Sequence, residues 1–309
     1  MEIYKKTFLT AKTRKHLWIY LALLPTYGFL AVFLAYPTVQ AISKSFYHWT
    51  DGNYNTPVFV GFKNYLMLFK DIEFWGSFRN LAIFILWSLF TSGCVMLPVS
   101  YLVNKLGDSF IGKTIQRLYV IPIIIPSIVF ILYWKFFYEV NFGMLNNVLK
   151  MLNLGHLTRV WLGEKSTALP ALLFSGFPWI TGFNACVGGF GFLVLLAGFQ
   201  MVDKSLHESA ELDGANSLVR FIKIDIPLVM PQIKLLFMLT MIGGIQQFAL
   251  QLVLTQGGPN YATTVPGLVL YFNASKYFNY GYGNAIGVTL FIIILTVTIL
   301  INKIFKRAE

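Results

Sequence analysis

Residues His207 to Pro231 read "HESAELDGANSLVRFIKIDIPLVMP", with four carboxylates, one glycine and two prolines in 25 residues. Most of the surrounding chain is oily. As local structure, Ser205 followed three residues later by Glu208 has the form of a capping box, which predicts a helix start. That helix is expected to run to about Asp213, where Gly214 can take a left-handed conformation and stop it. A second short helix is expected from about Ser217 to Lys223, ended by Ile226, which the following Pro227 pushes towards an extended conformation. Small residues (Ala210, Gly214, Ala215) allow close approach by another surface. The apolar Leu206, Leu212, Leu218 and Phe221 need a cover. A solvated loop needs neither; a docking element needs both.

The 309 residues are 56% hydrophobic and only 12% charged, with 29 Phe, 16 Tyr and 7 Trp. Soluble domains carry about 25% charged residues, so this composition predicts a polytopic membrane protein. Six windows are apolar over about the 20 residues that a crossing needs: 17–36, 81–103, 118–138, 169–200, 228–254 and 284–302. The fourth is too long for one straight crossing. With Pro170, Pro178, Gly176, Gly182, Gly188, Gly189 and Gly191, it is expected to enter, bend and then cross. The basic start followed by an apolar run imitates a signal peptide, but 17–36 exceeds a signal h-region of roughly 7–15 residues. It is therefore expected to be an uncleaved first span.

Charge sets the expected orientation. Segments 1–16, 104–117, 201–227 and 303–309 hold 14 Lys/Arg in 64 residues, whereas 37–80, 139–168 and 255–283 hold 8 in 103. Basic residues mark the cytoplasmic side. Residues 1–16 then form a cytoplasmic tail, and 17–309 a six-helix transmembrane domain with both termini inside and a cytoplasmic loop at 203–227. The net charge of +11 reflects this rule, and no nucleic-acid partner is expected. Cys94 and Cys186 both fall in apolar runs, which argues against a structural disulfide.

The spans lack chemistry. His16, His48, His156 and His207 all lie outside them, as does every Asp and Glu. Proton-driven carriers place ionisable groups at membrane depth, and membrane hydrolases need a nucleophile with its base or a metal. No catalytic residue, metal site or phosphate-binding loop is expected. Uphill transport would then need energy from a partner. A stand-alone six-span carrier or channel, with an ion site built from carbonyls and hydroxyls, remains the alternative. In the fifth window Thr240, Gly243, Gly244, Gln247 and Gln251 recur at spacings of three and four. That is one helix face, either for packing or for lining a cavity; glutamine amides suit sugar hydroxyls. Ser127 and Asn184 are weaker candidates.

The stretch "ESAELDGANSLVRFIKIDIP" resembles the EAA signature of membrane subunits in binding-protein-dependent ABC importers: E-A-A, three residues, G, nine residues, I, one residue, L-P. Glu208, Ser209, Ala210, Gly214, Ile224, Ile226 and Pro227 fit that spacing, with Ser209 for alanine and Ile226 for leucine. "LLPTYGFLAVFLAYPTVQAISKSFYHW", "IPIIIPSIVFILYWKFFYEVNFGMLNNVL" and "LTQGGPNYATT" resemble further parts of the carbohydrate-uptake branch.

The resemblance implies the all-α fold of a type I importer permease in a bacterial or archaeal cytoplasmic membrane. It implies pairing with a second, usually different, permease subunit, two cytoplasmic ATPase subunits that hold the ATP and Mg, and an extracytoplasmic solute-binding protein that delivers a sugar. This chain would bind no cofactor itself. Glu208, Ser209, Ala210, Asp213, Gly214 and Ala215 would couple to the ATPase. Maltose-type relatives line their cavity at positions matching Ser127, Gly188, Gly191, Thr240, Gly244 and Gln247, to which the face reading adds Gln251. The glycines there predict a roomy cavity and an oligosaccharide.

Overall fold

The computed structural model describes residues 11–177 and 185–306, so Pro178, Gly182 and Asn184 lie outside the described residues. The described chain is almost wholly helical. A two-stranded antiparallel hairpin, Tyr47–His48 against Val58–Phe59, is the one departure from an all-helical reading among the described residues.

Three helices are long and apolar enough to cross a membrane alone: Ile19–Lys44, Ile72–Leu106 and Tyr280–Phe305. They contain the second and sixth expected windows and all but the first two residues of the first, and each extends beyond its window. The other three windows are bent. The third is broken into Phe110–Ile124 and Ser127–Phe137 at an angle of 100°. Ile125 takes φ −76°, ψ 123° there, the extended conformation that a following proline favours, here Pro126. The fourth is split as expected into Lys165–Phe174 and Ala185–Gln200. The fifth is Met230–Gln246 followed by a separate helix, Ala249–Leu254. Bends also join Gly189–Gln200 to Lys204–Leu212 (65°) and Ser217–Leu228 to Met230–Gln246 (68°); counting these two pairs and the broken third window as one span each gives up to six.

Pro37, Pro98 and Pro227 share one solution to a proline inside a long helix. Each follows a five-residue π turn, at Ala31–Ala35, Ser92–Met96 and Phe221–Asp225. The residue before each proline donates its N–H five residues back, to Ala31, Ser92 and Phe221. In a regular α-helix the proline ring would strike the carbonyl four residues back and leave it without a donor. The extra residue of a π turn relieves both problems. Ile226 therefore stays helical at φ −59°, ψ −49°, and the expected stop before Pro227 does not occur; the helix runs on to Leu228.

Two apolar cores result. One gathers Met96, Tyr101, Tyr119, Phe192, Phe199 and Val229 beneath the loop of residues 201–228. The other gathers Phe74, Phe84, Leu172, Leu250, Leu268 and Ile286 towards the hairpin. Buried asparagines fasten the connections on the hairpin side. Asn64 Nδ2 donates to the Ser45 and Tyr47 carbonyls at 2.8 and 2.9 Å. Asn80 Nδ2 donates to Tyr261 and Thr264 carbonyls across 181 and 184 residues. Asn64→Leu leaves two carbonyls without that donor, and we expect a loss of about 1–3 kcal/mol, read as a lower Tm in detergent. An unchanged Tm would mean that the hairpin junction is held by packing alone.

Candidate functional site

The loop of residues 201–228 is built from its caps. Asp203 is the N-cap of the helix Lys204–Leu212, and its carboxylate accepts from the Ser205 N–H at 2.9 Å. That N–H, with the Ser205 hydroxyl, holds the Asp203 carboxyl below its ordinary value. The cap thus lies two residues before the expected capping serine: Asp203 has already taken the capping role, and Ser205 is the donor.

The end is as expected. Gly214 has φ +78°, its N–H donates to the Glu211 carbonyl at 3.0 Å, and the Ala215 N–H reaches back to Ala210 at 2.9 Å. These two bonds form a Schellman motif, which closes a helix on a left-handed residue. A Cβ on Gly214 would meet no atom of this chain within 4 Å. Asn216 then caps the next helix, accepting from the Val219 N–H at 2.9 Å.

Glu208, Ser209, Asp213 and Gly214 are exposed, and Ala210 and Ala215 half-buried. Leu206, Leu212 and Leu218 are 44, 90 and 64% exposed. Phe221 alone of the four apolar residues is covered by this chain; its ring centroid lies 4.4 Å from that of Tyr101. Lys105 Nζ donates to the Ser217 hydroxyl and sits 4.7 Å from the Tyr101 ring centroid. Arg220 pairs with Glu211 and approaches the His207 carbonyl, while His207 Nε2 lies 2.8 Å from Asp225 Oδ1. The loop is a braced pair of helices whose outer surface sets exposed leucines among charged and small residues.

The expected pathway residues divide into groups. The helix Met230–Gln246 ends before Gln247, which is extended at φ −74°, ψ 131°. Thr240 and Gly244 therefore share a helix, but Gln247 is its half-buried C-cap, and Gln251 belongs to Ala249–Leu254. The single polar face predicted from spacing does not form. Thr240 is buried beside a largely apolar cavity of about 180 Å³ that Ser92, Met96 and Leu236 also line. Gly191 packs against the same wall: a Cβ there would lie 3.0 Å from Met96 and 3.4 Å from Leu236. It makes a close helix contact rather than the predicted room. Gly188 lies in the helix Ala185–Gln200, with surroundings outside the described residues.

Ser127 is exposed at the start of Ser127–Phe137, a helix that packs against Ala249–Leu254. Gln251 is fully buried there, and neither of its amide atoms has a hydrogen-bond partner. Among the described residues no group of three His, Cys, Asp or Glu could hold a metal. Sequence reasoning missed His207, Asp225 and Arg220, because residues 13 to 18 apart are paired by folding and by no local spacing rule.

Residues 96–308 match the family described as "Binding-protein-dependent transport system inner membrane component". The chain belongs to that family. It is a permease subunit, a non-catalytic inner-membrane component of a binding-protein-dependent transport system. It is 31% identical over 291 residues to the trehalose/maltose transport system permease protein MalF of Thermococcus litoralis, covering 93% of this chain and 94% of the relative. The multiple sugar-binding transport system permease protein MsmF of Streptococcus mutans is 31% identical, with 90% and 91% covered. A solved bacterial ABC transporter that imports the polysaccharide alginate contains a chain of the same fold, with TM-score 0.82, 20% identity, and 97% and 98% covered.

Proposed function

We propose that this permease is one half of the translocation pathway of an ATP-driven carbohydrate importer, and that the 203–227 loop couples it to a cytoplasmic ATPase. The loop geometry carries the proposal. A capped helix ends in a left-handed glycine with open space above it, and three leucines stand exposed on a rigid plate. Apolar side chains presented together in this way mark a docking surface. Glu208, Ser209, Ala210, Asp213, Gly214 and Ala215 form its contact edge. ATP and Mg belong to the ATPase, and a solute-binding protein delivers the substrate on the opposite side of the membrane. Both termini lie in the cytoplasm with the loop, as the distribution of Lys and Arg supports.

The relatives favour a carbohydrate substrate, and the named sugars of MalF, of the arabinooligosaccharide permease AraP of Bacillus subtilis and of the diacetylchitobiose permease NgcF of Streptomyces coelicolor favour an oligosaccharide. Ser127, Thr240, Gly244, Gln247 and Gln251 are the polar and small groups along that path, with Gly188 and Gly191 on the neighbouring helix.

Co-purification tests the proposal. The tagged chain, extracted from native membranes in mild detergent, should bring an ATPase and a second permease subunit with it. Leu212→Asp should keep the permease partner and lose the ATPase, since a side chain 90% exposed in this chain contributes little to the chain's own fold. A chain that comes out alone and moves solute in liposomes without ATP would replace this reading with the stand-alone carrier.

A further inference from the structure

Asp225 is a carboxylate with 1% exposure, lying in the π turn Phe221–Asp225 of the helix Ser217–Leu228, which bends by 68° into the helix Met230–Gln246. Burying a charge is costly unless it is paired. Its partner comes from 18 residues away: His207 Nε2 donates to Oδ1 at 2.8 Å, while Oδ2 has no hydrogen-bond partner. His207 sits in the middle of the helix Lys204–Leu212, directly before Glu208, Ser209 and Ala210.

The other charged groups of the loop are engaged elsewhere or face outward. Arg220 is bonded to Glu211 and to the His207 carbonyl, and Lys105 to Ser217. Asp203 caps its own helix, and Lys223, on the same π turn, is exposed. Among the described residues, His207 supplies the hydrogen bond to the Asp225 carboxylate.

Position gives the pair a mechanical meaning. The helix Lys204–Leu212 joins the rest of the chain through a 65° bend at one end and the Gly214 turn at the other, and turns yield when pushed. The His207–Asp225 bond runs from the middle of the helix to the far end of the next one, Ser217–Leu228, just before its bend into the membrane helix. The π turn carries an extra residue, a place where a helix can shift register. The Arg220–Glu211 pair spans the same two helices, but Glu211 is 61% exposed, where ion pairs hold weakly.

We propose that His207 and Asp225 are positioning residues that make the helix Lys204–Leu212 and the helix Ser217–Leu228, which passes through a 68° bend into Met230–Gln246, move as one body, so that a push from the ATPase reaches the membrane. The inference rests on the coupling role given to the loop.

The test uses the complete complex with its ATPase and binding protein in proteoliposomes. The readouts are co-purification and solute moved per ATP hydrolysed. Asp225→Asn and His207→Gln should each assemble, keep hydrolysing ATP, and lower the transport ratio by about tenfold, the scale on which weakening one buried hydrogen bond acts. The double variant should recover part of the loss, because an amide pair restores a neutral hydrogen bond and leaves no unpaired charge.

If Asp225→Asn fails to assemble, His207→Gln decides, since its side chain is partly exposed. Wild-type ratios in the assembled single variants would overturn the proposal. So would failure of both to assemble, which would make the pair part of the fold alone. A wild-type chain that never binds an ATPase would instead refute the coupling role itself.

Discussion

Gly214→Asp should leave the permease folded in the membrane and abolish uptake. The glycine is needed at φ +78°, where an L side chain costs about 1–2 kcal/mol. That cost falls on an exposed turn and is small beside the stability of the bundle. Nothing in this chain blocks the new side chain, because a Cβ at position 214 meets no atom within 4 Å. Any large effect must arise from what docks there.

Two further substitutions separate conformation from contact. Asparagine tolerates the left-handed region, so Gly214→Asn keeps the turn and adds bulk. Alanine strains the turn and adds almost none. We expect uptake to fall by at least about tenfold for Asp and for Asn, the effect of losing roughly 1.4 kcal/mol at a contact, and to fall less for Ala. The measurement is labelled-solute uptake beside co-purification of the ATPase. If Asn transports normally while Ala fails, the glycine secures the turn and not the contact. Normal uptake in all three would remove Gly214 from the coupling surface.

The Gly214 turn was legible in the sequence because a helix stop depends on one residue and its immediate neighbours. The same was true of the three long helices, whose apolar runs exceed any ambiguity of period. The rule for residues before proline separates the legible from the illegible. It describes Ile125 before Pro126, where the helix breaks and turns by 100°. It fails at Ile226 before Pro227, where the preceding π turn lets the helix continue. Both prolines follow isoleucine; the difference lies in the hydrogen bonds of the preceding turn, which composition does not reveal.

The polar face of the fifth window failed for a related reason. Spacings of three and four imply one face only while the helix is unbroken, and the break after Gln246 involves no proline or glycine at that point. Gln251 thereby turns into a fully buried position that no periodicity could predict. His207 and Asp225 were illegible for want of any local link between them. The capping box was half legible: the helix start was found, but an aspartate two residues earlier competed for the cap.

Glycines 189 and 191 make the opposite demand on the structure to Gly214, and two substitutions show it. A Cβ on Gly189 would lie 2.5 Å from the Tyr119 carbonyl oxygen and 2.5 Å from Ile123 Cγ1. The carbonyl belongs to the backbone of Phe110–Ile124 and cannot turn aside, so the two helices must separate. Gly189→Ala should therefore cost about 1–3 kcal/mol, the usual cost of overpacking, and Gly189→Val more, seen as lower yield and Tm of the purified complex. At Gly191 the nearest atoms are Cε and Sδ of Met96, each at 3.0 Å, and a thioether side chain repacks readily. Gly191→Ala should leave Tm nearly unchanged. Its uptake then tells whether position 191 touches the substrate. Wild-type uptake at wild-type Tm makes it a helix contact, as its packing against Met96 and Leu236 implies. A raised KM with Tm unchanged would return it to the pathway and would mean that the Met96 side chain moves aside when the permease opens.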